Sequence, residues 1–452
     1  MPWRCRHTRV AVSTMVRSMN FGPVATNRTT PLFSGRLFRR AATALCVALT
    51  LALIGSYIAM LGQDDAGSKH TDFVSYYSGS NLVLHGHADR LYDFNALGEF
   101  ERQLVHPLVV RNGVLPYVYP PFLAVALTPL AALPFQVAYL VWLAINCLLL
   151  VLCLAALQRL ARLSGGEALL FWAAGLSFLP VFIALAQGQT SILLAATLTG
   201  CFLAARSGRD ELAGGVLALV LIKPPYVIPI LLVFAVRRRW RALGAFLIVA
   251  LVIAVAPLLI GGSSLTAGYV QTLFKATQWK NQFGYGPQWN HSLRGFAELL
   301  LPGSAGSIAG VVLAASSLAA LTWVARHRSP IEVPLALAAL VCLLYSPHVL
   351  IHDLTVLVLP AAVALSIRIR PAYGLMGILA AGYTATLVGG RLVDAVPLQI
   401  SVIAMVALAV WLIVNDRNSP SAPVERISPD AAPYRAVCTP PQPGTNPRCL
   451  DL

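Results

Sequence analysis

Three polar groups interrupt an otherwise apolar chain in a pattern that could do chemistry. Asp72 stands about ten residues beyond the first long apolar segment and is followed by Phe73, Tyr76 and Tyr77. A carboxylate against aromatics at a water boundary can orient or deprotonate a hydroxyl, and partial burial tunes it for that task. A plainer reading makes Asp72 the N-cap of a helix starting at Phe73, with the tyrosines as an interfacial belt. Lys223 lies inside the apolar run LVLIKPPYVIP, where a cation needs an anionic partner or snorkels to an interface. The prolines after it break the helix and free backbone to line a cavity, and a lipid phosphate is the partner the residue type suggests. His348, His352 and Asp353 form PHVLIHD, with the histidines at i,i+4 on one expected helical face. That spacing lacks the glutamate of a hydrolytic zinc helix, so the histidines are expected to act as hydrogen-bonding or acid–base groups near Asp72, with no metal.

Two further polar segments belong with these. Gln187-Gly188-Gln189 separates two apolar runs, and reads either as a polar turn or as a contribution from Gln189 to substrate binding. In KATQWKNQFGYGPQWNHSLR (275–294), aromatic residues interleave with Lys275, Lys280, Asn290, His291 and Arg294. Aromatic platforms with amide and basic donors suit a sugar or a phosphate, and an amphipathic interfacial helix is the competing reading. Tyr119-Pro120-Pro121 reads as a helix start. There is no nucleotide-binding glycine fingerprint and no P-loop, so no cofactor is expected.

The elements positioning these residues must be membrane helices. Apolar residues make up 57% of the 452 residues and charged residues 11%, with a mean hydropathy of +0.72. A soluble chain carries about a quarter charged residues. The predicted fold class is therefore all-α, a polytopic bundle of about 10–12 transmembrane segments. The net charge of +15 does not point to nucleic acid. Eight arginines and no acid fall in residues 1–40, and further basic clusters lie at 237–241, 326–328 and 368–370. Short basic loops beside spans mark the cytoplasmic side. Segment 41–62 reads as an uncleaved signal anchor, with a mitochondrial transit peptide as the other reading of the arginine-rich arm. The eight cysteines fall mostly in spans or tails and give no disulfide framework.

Seven of the 18 acidic residues lie between Gln63 and Val118. Parity from the basic loops places this loop, the 263–300 loop and 346–353 on one non-cytoplasmic side, with both termini cytoplasmic. The middle of the chain admits two arrangements. Either 119–134 crosses, which puts Arg159, Arg162, Arg206 and Arg209 outside, or 119–134 and the Lys223-Pro224-Pro225 turn are re-entrant and all those arginines lie inside. The expected organisation is a basic arm (1–40), a membrane domain (41–415, with outer loops 63–118 and 263–300) and a disordered proline-rich tail (416–452).

The ordered set D-F-x-x-Y-Y, Y-x-Y-P-P-F, G-Q-T-S-I-L-L, I-K-P-P, R-R-R-W-R-A, W-N-H-S-L and S-P-H-x-x-x-H-D-L runs from about residue 72 to 354. In that order it resembles glycosyltransferase family 87, membrane enzymes of the GT-C fold related to polyprenol-phosphate-mannose-dependent mannosyltransferases. The resemblance implies a multi-pass plasma (inner) membrane enzyme that moves a hexose, mannose-like, from a polyprenyl-phosphate sugar to a lipid or glycan acceptor on the non-cytoplasmic face, with inversion. It implies Asp72 as the catalytic or acceptor-binding carboxylate. His348 and His352 are expected to support it, and Tyr76, Tyr77, Gln189, Lys223, Asn290, His291, Arg294 and Asp353 to bind substrate. A secondary transporter or lipid flippase is the rival reading, because broken helices and an intramembrane lysine also mark transport sites.

Overall fold

The computed structural model describes residues 35–62, 69, 71–110, 113–276, 278–279, 282–327, 330–367 and 372–416. The expected basic arm before residue 35, the 368–370 cluster, Lys280 and the expected disordered tail beyond 416 lie outside the described residues. Within them the chain is helical and forms no strand, only an isolated bridge between Gln282 and Tyr285.

In chain order, α1 (Arg36–Leu61) is followed by two short helices of the first loop, α2 (Phe73–Leu84) and α3 (Phe94–Val105). Then come the fragments α4 (Pro121–Ala126) and α5 (Thr128–Ala131), the long α6 (Phe135–Leu160), and the pair α7 (Gly165–Leu176) and α8 (Leu179–Ala186). Helix α9 (Ser191–Arg206) precedes α10 (Asp210–Ala218) and α11 (Val227–Val236), which 3-10 turns around Lys223 separate. The second half holds α12 (Trp240–Ala276), α13 (Leu293–Leu300), α14 (Ser304–His327), α15 (Glu332–Tyr345), α16 (Val358–Ser366), α17 (Tyr373–Ala395) and α18 (Ile400–Asn415).

Among the described residues, four helices are long and apolar enough to cross a bilayer: α1, α6, α12 and α14. The α7–α8 pair, bent by 46° at Ser177-Phe178, makes a fifth if it is one span. Five shorter apolar helices or helix pairs lie beside them. The expected 10–12 segments are thus not matched by as many full-length helices, because turns and polar residues cut several apolar stretches short. The 16 residues of α9 reach about 24 Å at 1.5 Å per residue, against a hydrocarbon core of about 30 Å. Such helices are tolerated because neighbours bury them; every residue of α15 but Tyr345 is buried.

Side-chain contacts fix which helix ends lie together. At one end, the Arg239 guanidinium donates to the Ala205 carbonyl at 2.8 Å and to Asp210 Oδ1 at 2.5 Å, joining the end of α9, the start of α10 and the turn before α12. Arg206 donates to Glu332 at 3.1 Å, adding the start of α15, and Asp416 beyond α18 lies within electrostatic reach of Arg237. At the other end, Tyr57 and Tyr139 share a hydroxyl hydrogen bond of 2.5 Å, and Trp142 donates to the Gly188 carbonyl at 2.7 Å. Cys153 lies 3.3 Å from Thr199, so α6 and α9 run parallel and Arg159 joins Arg206 at the first end. The charge pattern of the sequence thus becomes a spatial one, with a basic end and a polar, acid-bearing end.

The same contacts bear on the two arrangements of the middle. Fragments α4 and α5 are six and four residues long, about 15 Å together, and do not traverse the bundle. Segment 210–236 starts and finishes at the basic end, because Asp210 and the turn after α11 meet there through Arg239. It is a hairpin with its tip at Lys223-Pro224-Pro225, so that the arginines of 206–209 and 237–239 lie at one end, as the second arrangement expects. Helix α12 carries Pro257 and breaks at Gly262, whose φ of 67° is open to glycine at little cost; beyond it Gly268 packs on Tyr92 of the first loop.

The base of the hairpin rests on one glycine. A Cβ at Gly214 would fall 1.9 Å from the Ala242 carbonyl oxygen, where α10 crosses α12 backbone to backbone. Gly214→Ala is expected to destabilise the protein by about 1–3 kcal/mol through overpacking, lowering the thermal unfolding midpoint in detergent. Gly215→Ala, whose Cβ would meet only Val249 at 3.8 Å, is expected to leave that midpoint within a degree or two of the parent.

Candidate functional site

The tetrapeptide Gly188-Gln189-Thr190-Ser191 is the junction of the site. Gly188 takes φ +65° to turn the chain from α8 into α9, and a Cβ there would lie 2.8 Å from that of Phe73, so only glycine lets the two segments approach. The Phe73 N–H donates to the Gln187 carbonyl at 3.1 Å, which seats α2 on this turn. Gln189 and Ser191 then serve two polar groups, one on each side.

On the first side, the Gln189 amide donates to Asp72 Oδ2 at 2.5 Å, while its Oε1 accepts from Tyr76 at 2.8 Å and from Tyr119 at 3.3 Å. The Tyr76 and Tyr119 hydroxyls lie 2.7 Å from each other. Asp72 occupies the N-cap position of α2, yet its side chain caps nothing, so the plainer reading of this acid does not describe its contacts. Its carboxylate is half-buried and aimed at Gln189. Loss of hydration pushes the Asp72 carboxyl above its ordinary value, while the charge of His352 and the Gln189 hydrogen bond pull it partly back. A carboxylate so placed is a stronger proton acceptor than a hydrated one.

On the second side, Asp353 is almost fully buried and is surrounded by donors. The Lys223 ammonium at the hairpin tip pairs with its Oδ1, and the Ser191 hydroxyl lies 3.1 Å from the same oxygen. The Leu350 N–H donates to its Oδ2 at 3.1 Å. His352 Nδ1 is 3.3 Å from Oδ1 and 2.9 Å from the Ser191 hydroxyl. The anionic partner of Lys223 in this structure is therefore Asp353, where the sequence suggested a lipid phosphate. The ammonium has three N–H donors, so pairing with Asp353 leaves others to offer.

His348 and His352 do not share a helical face. Residues 346–350 are not helical, and a 3-10 helix begins only at Ile351. His348 stacks on Tyr285, with ring centroids 3.9 Å apart and planes within 4°. Burial, reinforced by the Lys223 charge, takes its imidazole down to about 3, so it is neutral near pH 7.

The remaining expected binding residues brace this segment. Asn290 donates to the Pro347 carbonyl at 2.9 Å and accepts from the Val349 N–H at 3.0 Å. The His291 N–H donates to the Val349 carbonyl at 2.8 Å, and its Nδ1 lies 2.8 Å from the Ser401 hydroxyl. Burial lowers the His291 ring to about 4. Arg294 pairs with Glu298 one turn along α13 at 2.8 Å. Tyr77 is not in the polar group: its hydroxyl donates to the Leu133 carbonyl at 2.8 Å and its ring packs edge-on against Phe135.

The structure thus brings Asp72, Tyr76, Gln189, Lys223, His352 and Asp353 together, with His348 beside them. Three participants escaped residue-by-residue reading. Ser191 lay within the G-Q-T-S run but had no charge to single it out. Tyr119 read as a helix start, and Tyr285 as one of several aromatics in its loop. Among the described residues, no group of three or more His, Cys, Asp or Glu side chains is arranged to hold a metal ion.

The sequence model of glycosyltransferase family 87 matches residues 117–347, just over half of the chain. The matched region includes Tyr119, Gln189, Ser191, Lys223, Asn290, His291 and Arg294, and stops short of Asp72 and of His348, His352 and Asp353. No curated protein and no solved structure matches the chain.

The buried pair makes a stability prediction independent of any activity. Lys223→Met leaves the Asp353 carboxylate buried without its cation and is expected to cost about 3–5 kcal/mol. Adding Asp353→Asn, which removes the stranded charge but keeps an acceptor for the Leu350 N–H, is expected to recover most of that loss. Unfolding midpoints of the single and double variants in detergent check it; a double variant no more stable than the single one contradicts the pairing.

Proposed function

The chain belongs to glycosyltransferase family 87, and we propose that it moves a hexose, mannose-like, from a polyprenyl-phosphate carrier to a lipid or glycan acceptor. A membrane glycosyltransferase needs a sugar donor, an acceptor and a bilayer; the carrier, the sugar and the side of the membrane are the proposal. The observation that carries it is the seating of the Asp72 carboxylate on Gln189, within electrostatic reach of His352 and two residues from the serine that contacts Asp353.

In this reading the acceptor hydroxyl binds against Asp72 and gives it its proton as the oxygen attacks the sugar C1. The new C1–O bond forms while the C1–O bond to phosphate breaks, and its electron pair leaves on the polyprenyl phosphate. A single displacement inverts C1. Lys223 offers its remaining N–H donors to the departing phosphate, where charge builds up, and fixed donors there act most strongly in a water-poor site. Tyr76 and Tyr119 hold Gln189, and Gln189 holds Asp72. Residues 41–415 make up the catalytic unit in this proposal, and no cofactor takes part in the steps described.

The charge at the two bundle ends supports an orientation. Arg159, Arg206, Arg209 and Arg237 to Arg239 sit at or beside the end joined by Arg239, and a basic end of short loops belongs in the cytoplasm. The Asp72 end then faces the non-cytoplasmic side of a plasma (inner) membrane, with both termini inside. Single cysteines at the exposed positions His87 and Gln282 are expected to react with an impermeant thiol reagent from the non-cytoplasmic side, and one at Arg238 only from the cytoplasm. Reaction of His87→Cys from the cytoplasm alone would reverse the assignment.

Asp72→Asn keeps shape and hydrogen bonding but cannot take a proton. It is expected to lower transfer from labelled polyprenyl-phosphate hexose at least about 100-fold at unchanged membrane abundance. Activity above about a tenth of the parent removes Asp72 as the base. A base must be deprotonated to work, so kcat/KM is expected to fall as pH drops through the Asp72 pKa. The raised value puts that half-point above the usual 3.8 of an aspartate.

A further inference from the structure

Ser191 is fully buried at the first turn of α9, and the chemistry above gives it no task. Its hydroxyl lies 2.9 Å from His352 Nδ1 and 3.1 Å from Asp353 Oδ1. An ionised carboxylate only accepts, and a hydroxyl has a single hydrogen to give. A hydrogen bond to a charged acceptor is the stronger choice, so Ser191 donates to Asp353 and presents its lone pair to His352. Asp353 Oδ1 itself stands 3.3 Å from the same ring nitrogen. Two oxygen acceptors therefore face Nδ1, and both require the proton there. The other ring nitrogen, Nε2, is buried and has no hydrogen-bond partner. A buried polar atom without a partner carries a desolvation penalty that a native fold rarely accepts without a use for it.

We propose that Ser191 and Asp353 hold His352 with its proton on Nδ1 so that Nε2 faces the donor's phosphate, making Ser191 a positioning residue for sugar transfer. This rests on the reading of the site as the place of sugar transfer. The charge balance gives Nε2 its task. Asp353 cancels Lys223, and the departing phosphate gains a negative charge as the C1–O bond breaks. When His352 carries a second proton, its Nε2–H donates to a phosphate oxygen beside the Lys223 ammonium. The acceptor's proton still goes to Asp72 and the bond's electron pair to the phosphate, so the His352 proton stays on the ring. The charged and titratable groups facing His352 are Asp72 from the start of α2, Lys223 from the hairpin tip, Asp353 beside it, and His291 and His348 from the loops.

The test uses the full-length protein in lipid nanodiscs with 15N-labelled histidine, at a pH where the ring is neutral, and assigns the His352 signals by their loss in His352→Gln. The wild type is expected to show a protonated Nδ1 and a bare Nε2, and Ser191→Ala a mixture of the two tautomers. In the transfer assay Ser191→Ala is expected to lower kcat about 10-fold or more and to leave the acceptor KM within about 3-fold. A wild-type spectrum with the proton on Nε2 overturns the proposal. So does Ser191→Ala with an unchanged tautomer and a kcat within about 3-fold of the parent. If the wild type moves no sugar from polyprenyl phosphate, the functional reading fails alone, because the spectrum reports the tautomer without turnover.

Discussion

One buried carboxylate organises this bundle. Asp353 sits 1% exposed among apolar helices, and an isolated charge in such a place costs many kcal/mol, so the fold must bring donors to it. They arrive from separate stretches of chain. Lys223 comes from the tip of the 210–236 hairpin, Ser191 from the first turn of α9, and the Leu350 N–H and His352 from its own segment. Satisfying one acid therefore draws together three stretches that are distant in sequence. The same need fits the break at the hairpin tip. The chain between α10 and α11 turns at Lys223 through two 3-10 segments, and the prolines after it have no N–H donors of their own to strand there.

Electrostatics also divides the bundle lengthwise. Arginines collect where α9 ends, α10 begins and α12 begins, and several meet carboxylates there: Arg206 with Glu332, Arg239 with Asp210. The opposite end holds the polar group around Gln189. Separating the two ends by the length of α9, about 24 Å, keeps the cationic anchors from competing for the acids of the site. Helices shorter than a full span are a consequence of the same division, since several of them terminate where the polar residues must face one another.

Much of this was legible in the sequence. Composition established an all-α membrane protein, and Asp72, Lys223, Gln189, His352 and Asp353 drew notice because each is polar where its surroundings are not. What sequence could not supply was pairing. Lys223 announced the need for an anion, but Asp353 lies 130 residues away, and no local rule selects it over a lipid phosphate. The two histidines at i,i+4 implied a shared face, yet that spacing carries meaning only inside a helix, and the chain is not helical through 346–350. Tyr77 shared its aromatic neighbourhood with Tyr76, but consecutive helical positions point about 100° apart, so one hydroxyl meets Gln189 and the other Leu133. Fewer full-length helices than the expected 10–12 segments appear for a related reason: hydropathy reads apolar length, and a hairpin is as apolar as a crossing.

The economy of the Gly188–Ser191 turn follows from helix geometry. A side chain just before the first turn of a helix and one within it diverge, so Gln189 and Ser191 can reach two different groups from nearly the same point of backbone. Gln189 is bifunctional by chemistry: its amide nitrogen only donates and its oxygen only accepts. That polarity fits it between a carboxylate and two phenols, and the reverse orientation would set its oxygen against Asp72. A serine at 191 has the complementary property, a single proton and two lone pairs, suited to a carboxylate on one side and a ring N–H on the other. The two residues thus set hydrogen-bond direction as well as position on each side of the site.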